Sequence, residues 1–424
     1  MTENEEDRLA ASRRAMGLTR RPSRLAALAG LAVAAILAAG ALALVASRSS
    51  GPDLRSAGGT TWPAGGIDWH LAGHVPADFM FGPYLASLNG RVYIAGSGNS
   101  TGVWSSTDGA TWQQTSGPGA IEKAAPGFVA RALSDDGRGG LLLVGAIVTG
   151  ETSVPVALQS TDGVAWTSAP MTSPSGELVG VATSSGEIVA FGDHVAASTD
   201  AAAGFTYGLD AWSSTDGVTW THVPLPDSTG YQAIAVTSWK GGFAAIAQPI
   251  AGGWTASVWM STDGIAWQKS PNDLSSLGPS TISAVGDRVV AMGSHLDSKL
   301  GMVPSAWWST DGRTWVESTP PVRDPAVMFD AVATVGENLV AIGSSHMATT
   351  LELTVGASES TPWSQPPESV WVSGDGSEWR LLPANPIVTI GSILNTHLTS
   401  LGGRVVLATT AGQSVQVFLG DVIS

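Results

Sequence analysis

One short phrase, Ser-Thr-Asp-Gly followed three residues later by Trp, recurs along this chain of 424 residues. Its copies centre on Asp108, Asp162, Asp216, Asp263, Asp311 and Asp375, the last reading Ser-Gly-Asp-Gly. Self-similarity at this spacing marks a repeat architecture, in which each unit buries its apolar face only against its neighbours. In most copies a Trp stands four residues before the Asp and another four after it, as with Trp104 and Trp112; Leu158 takes the first place in the second copy. Asp-Gly between apolar runs is hairpin chemistry. Gly adopts a left-handed backbone without a Cβ clash, and the Asp carboxylate accepts backbone N–H bonds across the turn. The spacing predicts a three-residue Thr-Asp-Gly loop that sets the two Trp opposite each other.

A second periodicity counts the units independently. Short, nearly continuous apolar runs occur at 92–95, 141–144, 188–191, 243–246, 289–292, 339–342 and 405–408, and Gly96, Gly145, Gly192, Gly293 and Gly343 follow five of them directly. Such runs suit strands buried on both faces, and they are read here as the inner strands of the repeat. Seven runs against six motif hairpins leave one unit a strand short. The missing strand is expected at the start of the fold, where Gly66-Ile67-Asp68-Trp69 matches the Gly-x-x-Trp tail of 217–220. Pairing it with the C-terminal strand near 415–419 joins the two ends of the chain and leaves no large open edge. The period of about 52 residues holds four strands and their loops. The expectation is therefore an all-β, seven-bladed β-propeller over residues 62–424, closed by an N-terminal strand.

The motif resembles the Asp-box of the BNR-repeat propellers, a group that includes sialidases and sortilin-like receptors. The pattern there is Ser-x-Asp-x-Gly-x-x-Trp, whereas Asp and Gly are adjacent in every copy here. The resemblance implies that Asp108, Asp162, Asp216, Asp263, Asp311 and Asp375 are structural, in a turn between third and fourth strands remote from any active site.

Residues 25–46 are an unbroken apolar or Gly run, about 33 Å long as a helix and enough to cross a bilayer. Arg8, Arg13, Arg14, Arg20, Arg21 and Arg24 precede it, so the positive-inside rule places residues 1–24 in the cytoplasm. The expected order is a cytoplasmic tail (1–24), a signal anchor (25–46), a flexible linker (47–61) and a propeller outside the plasma membrane. The alternative is secretion after cleavage near Ala41-Leu42-Ala43, although the apolar region of a cleaved signal is normally shorter. Arg far outnumbers Lys, as in GC-rich bacterial genomes. The net charge of −15 and pI near 4.7 repel phosphate backbones, so nucleic acid is not an expected partner. The absence of cysteine excludes thiolate chemistry, Cys-ligated metals and disulfides.

Loops of a propeller alternate between two faces. The motif turns share one face with the short turns between first and second strands. The loops between second and third strands share the other face with the blade-to-blade connections, and here they are long, at 193–210, 248–257, 294–305 and 344–369. Length and variety on one face of a rigid scaffold suit binding. His194, His295 and His346 sit at equivalent places there, with Asp193 and Asp297 beside two of them. The candidate ligand-binding set is these five with Trp254 and Trp363, which can stack on sugars or clamp a peptide. The alternative reading has these histidines bonding only their own loops and the Trp capping neighbouring blades, so no metal or cofactor is assigned. Trp239 lies outside the motif, and Arg91, Arg288 and Arg404 follow the short turns and belong to the repeat.

A sialidase-like site needs an arginine cluster and a Tyr paired with Glu. The chain offers Tyr84, Tyr93, Tyr207 and Tyr231, and outside the repeat Arg131, Arg138, Arg313, Arg323 and Arg380, without the family's Arg-Ile-Pro signature. No nucleophile elbow, zinc-protease motif or phosphate loop is present. The reading is a non-catalytic module binding a protein, peptide or glycan of the cell envelope. The alternative is a sialidase-like or other glycoside hydrolase or lyase acting on surface carbohydrate.

Overall fold

A computed structural model describes residues 66–98, 101–149, 152–171, 176–197, 205–240, 242–251, 255–275, 277–297, 301–322, 327–345, 369–383, 396–411 and 413–423. They form seven antiparallel sheets arranged as the blades of a β-propeller. The innermost strands of blades 1 to 4 are Phe79–Leu88, Phe128–Asp135, Gly176–Ser184 and Tyr231–Trp239. Those of blades 5 to 7 are Gly278–Val285, Val327–Val335 and Thr396–Leu401. One short helix, Pro118–Ala124, joins blades 1 and 2 and buries Ile121. The tail, the 25–46 segment and the linker lie outside the described residues. Among the described residues no helix is long and apolar enough to cross a membrane.

Blade 7 closes the ring. Its first three strands are C-terminal (Thr396–Leu401, Arg404–Ala411 and Ser414–Ile423), and its outer strand is Gly66–Val75. Trp69 stands opposite Gly420, where a side chain would collide with Ile67 and crowd the Trp69 ring. Trp69 is buried with Phe418, Leu407 and Val405 of its own blade and with Val340, Ile342 and Val370 of blade 6.

Burial in this molecule lies between blades. Each of the seven apolar clusters draws its members from two neighbouring blades. The apolar runs lie on the second strands, interior to each sheet and one removed from the axis, as in blade 7, where Arg404–Ala411 is buried at all but its two ends. A second strand is flanked by strands on both edges and by a blade on each face, so every side chain is covered. The innermost strands meet neighbouring sheets only near the axis and alternate instead, as in Gly176–Ser184.

Six innermost strands also carry a bulge. In blade 1 the register slips twice between Phe79 and Tyr84, and in blades 2 to 6 it slips once, at Arg131, Val179, Ile234, Ser280 and Asp330. The residue paired just before the slip faces Gly145, Gly192, Gly293 or Gly343 in blades 2, 3, 5 and 6, and Ala247 in blade 4. A Cβ on any of those glycines would collide with a carbonyl oxygen of the bulged strand: Val129, Glu177, Gly278 or Met328. The Gly after each apolar run is therefore the imprint of a bulge in the adjacent strand.

The motif turns are longer than their spacing suggested. Trp104 pairs with Gln114, Trp212 with His222 and Trp259 with Lys269, so no Trp faces its motif partner. The carboxylate causes the difference. Asp108 Oδ1 accepts the N–H of Ala110 (2.8 Å) and Thr111 (2.7 Å) and the hydroxyl of Ser106 (2.8 Å). Ser106 Oγ in turn accepts Gly109 N–H at 2.8 Å, and Trp112 Nε1 donates to Gly109 O at 3.1 Å. These bonds wrap the chain around the Asp before the fourth strand begins. The Gly is left-handed as expected, with φ between 69° and 76° in all six copies. It is needed twice over, because a Cβ there would also press on the preceding blade, as Gly264 would on Val189 and Gly312 on Met260.

Trp69→Ala should cost about 3–5 kcal/mol, the usual range for deleting a fully buried Trp, with early loss of the Gly66–Val75 strand. Urea denaturation followed by hydrogen exchange of that strand checks it. A cost below about 1 kcal/mol would show that closure does not depend on this side chain.

Candidate functional site at the channel mouth

Strand direction assigns the faces. Each blade's motif turn and its first-to-second turn lie at one end of the sheet, here the turn face. The second-to-third hairpins lie at the other, the hairpin face. In blade 3 that hairpin is built from strands of eleven and ten residues, Glu187–Ala197 and Phe205–Ser214, so His194 is part of a β ladder rather than a loop.

At the hairpin end of the channel, polar side chains from successive blades meet. Arg131, the bulge residue of blade 2, donates Nε and Nη2 to one oxygen of Glu177 in blade 3, at 3.0 and 2.9 Å. Its guanidinium lies 4.3 Å from the centre of the Phe81 ring of blade 1 and also bonds the Tyr84 hydroxyl. Desolvation raises the Tyr84 phenol above its ordinary range despite the nearby cation. Tyr84 meets His397 of blade 7 edge to face, with ring centres 5.1 Å apart, and desolvation lowers the His397 imidazolium to about 4.

Asp193 stands opposite Glu177 on the blade 3 ladder and is buried. One carboxyl oxygen accepts the backbone N–H of Ala233, beside the bulge of blade 4, at 3.3 Å. Burial, then the charges of Glu177 and Asp210, push its pKa up to about 7 against that hydrogen bond. Ser97 holds the matching place in blade 1 and accepts Ala130 N–H of blade 2 at 3.0 Å. His194 points to the other face of the sheet. Its Nδ1 lies 2.8 Å from the fully buried Asp210, whose second oxygen lies 3.0 Å from His222 Nε2, off hydrogen-bond alignment.

The predicted set is only partly together. Asp193 and His194 lie at this mouth on opposite faces of one strand. His295, in blade 5, is separate; its Nδ1 is buried without a hydrogen-bond partner among the described residues. Asp297 closes the ladder of its hairpin opposite Gly301. His346, Trp254 and Trp363 lie outside the described residues. Among the described residues no group of three or more His, Asp or Glu is placed to hold a metal ion. Tyr84, Arg131, Glu177, Asp210 and His222 join the site without having been selected for it. The signal that could have found Arg131 is the Gly145 imprint of its bulge.

Chemically, the mouth offers a carboxyl near neutrality, an uncharged imidazole and an ion pair. A single arginine occupied by Glu177 and a phenol with a raised pKa do not make an arginine cluster with a nucleophilic Tyr. The repeat arginines act elsewhere. Arg288 bridges blade 5 to the blade 6 motif through Asp375 Oδ2 at 3.0 Å, and Arg404 forks onto Asp421 at 2.6 and 3.1 Å. Trp239 donates to Asp287 O at 2.9 Å on the turn face.

Two pH responses of opposite sign follow. Backbone N–H bonds hold the motif carboxylates low, Asp216 and Asp311 at about 2. Stabilisation from a lowered carboxyl is complete above its unfolded pKa near 4 and is lost as pH falls toward 2. Asp216→Asn should therefore have a lower Tm than the parent at pH 7, and the two Tm values should converge near pH 2. Asp193 is raised, so the folded state holds its proton longer than the unfolded state and stability falls as pH rises from about 4 to about 7. Asp193→Asn should flatten that slope in a Tm-versus-pH series; an unchanged slope would assign it to another group.

No protein-family model matches the sequence, and no curated protein matches it significantly. Solved structures do. A streptogramin B lyase structure superposes with a TM-score of 0.55 at 12% identity, covering 84% of this chain and 98% of that one. A chain of a mitotic checkpoint complex structure gives 0.50 at 9% identity, covering 88% and 98%. A Trypanosoma rangeli sialidase in complex with the inhibitor DANA gives 0.43 at 11% identity, covering 74% and 56%, too distant to carry an argument. Identities this low show the seven-bladed fold alone.

Proposed function

We propose that this protein is a membrane-anchored, extracytoplasmic β-propeller that captures a protein, peptide or glycan on its hairpin face and does not transform it. The observation that carries the reading is the asymmetry of the two faces. The hairpin face exposes the aliphatic side chains Met80, at the start of an innermost strand, and Val148, Val154, Ile250 and Leu296, at the second-to-third hairpins. Exposed apolar anchors on the same face as a polar cluster are the usual composition of a recognition surface. The apolar 25–46 run behind six arginines supports the anchor and its orientation. Kinship with Asp-box propellers is proposed on the motif's residues and its carboxylate-wrapped turn, with the box as a structural element.

The test pairs capture with turnover. Full-length protein, solubilised from membranes, is expected to retain one discrete envelope protein or glycan. The variant Met80→Asp/Val154→Asp/Ile250→Asp/Leu296→Asp should lose it at least tenfold with an unchanged Tm. A panel of fluorogenic glycosides should show no hydrolysis. Turnover abolished by Glu177→Gln or Tyr84→Phe would replace this reading with the glycoside hydrolase.

A further inference from the structure

The turn face carries a pattern that neither folding nor the hairpin-face site requires. In every motif the residue after Gly sits at the tip of the turn with its N–H bonded to the motif Asp, as Val164 and Val218 are at 2.8 Å. In blades 2, 3 and 4 that residue is Val164, Val218 or Ile265, with exposures of 50, 50 and 54%. In blades 1, 5 and 6 it is Ala110, Arg313 or Ser377. Single exposed aliphatics need no explanation. Three branched ones at the same repeat position on three consecutive blades form an apolar arc along one side of the face.

The chain indicates what covers this arc. Gly66, where the closing strand begins, pairs with Ile423 at the turn-face end of blade 7. Nineteen residues, 47–65, separate it from the apolar 25–46 run, and a Gly/Ser-type chain of that length has a mean reach of about 24 Å. The proposed anchor is therefore tied to the turn face. In a ring of seven, blade 7 lies across the axis from blades 3 and 4. A tether at one rim alone lets the ring tilt, and an adhesive arc at the opposite rim stops it.

We infer that the turn face rests on a lipid bilayer, with Val164, Val218 and Ile265 dipping into its interface and the hairpin face directed away. This rests on the anchored reading proposed above. The motif aspartates share the face and stay ionised, so the matching surface is zwitterionic rather than anionic. Three aliphatic side chains bind weakly by themselves. The anchor holds them at high effective concentration, which makes the contact persist.

The absence of cysteine allows a clean test. Val218→Cys, Ile265→Cys and, on the hairpin face, Val154→Cys are each labelled with an NBD maleimide in the full-length chain and reconstituted in phosphatidylcholine vesicles. Labels at 218 and 265 should emit blue-shifted light and be quenched by headgroup-level nitroxide lipids, while the label at 154 should not. Adding Val164→Asp and Ile265→Asp to the Val218→Cys chain should restore water-like emission with an unchanged Tm. Equal water exposure at all three sites, in protein that floats with the vesicles, overturns the inference and leaves the anchor standing. Protein that fails to float removes the anchor and the inference together. Blue-shifted emission that disappears on dilution of protein in lipid assigns the arc to a second copy and also overturns the inference.

Discussion

Among the described residues, no blade has a core of its own. Each apolar cluster there is shared by two neighbours, so a blade is stable only while both are in place. A ring built this way depends on its last joint, where the Gly66–Val75 strand completes a sheet otherwise made from the other end of the chain. The smaller devices serve the same end. Motif glycines press against the preceding blade, and Arg288 reaches from one blade to the next blade's Asp375. The motif is as much a clasp between blades as a turn within one.

The polar mouth is a consequence of the bulges as well as a candidate site. A bulge removes backbone groups from the ladder, and those groups must find partners elsewhere. Ser97 and Asp193 meet that need, each accepting an N–H beside the next blade's bulge. A serine would serve in either place. A carboxyl at Asp193 adds a titratable proton near neutrality, flanked by Glu177, and so exceeds the structural requirement. Arg131 is itself a bulge residue, a position where irregular backbone re-aims a side chain.

Motif spacing, apolar runs and the Trp69 relic were enough to count the blades and find the closing strand, because both report on local pattern. The apolar runs also marked the strand between the two kinds of loop, the second of each blade. Continuous hydrophobicity reports coverage on two faces, and the second strand is better covered than the innermost one. The turn length was misread because carboxylate bonds such as those of Asp108 absorb residues that a loop count assigns to strands. The partner of His194, Asp210, lies sixteen residues away and His222 on a further strand, a grouping that only ladder register creates.

By itself the sequence determined a closed ring of seven four-stranded sheets, since repeats with buried strands and a displaced outer strand admit few other ways to cover their edges. It also determined the left-handed glycine turns and an apolar run long enough to span a bilayer. Only tertiary structure decided which side chains meet. The Tyr84–Arg131–Glu177 contact joins three blades, and residues some fifty apart in the chain become neighbours only when the sheets stack around the axis. Periodicity encodes what each residue does for its own blade, and it carries no record of what stands beside it in the next.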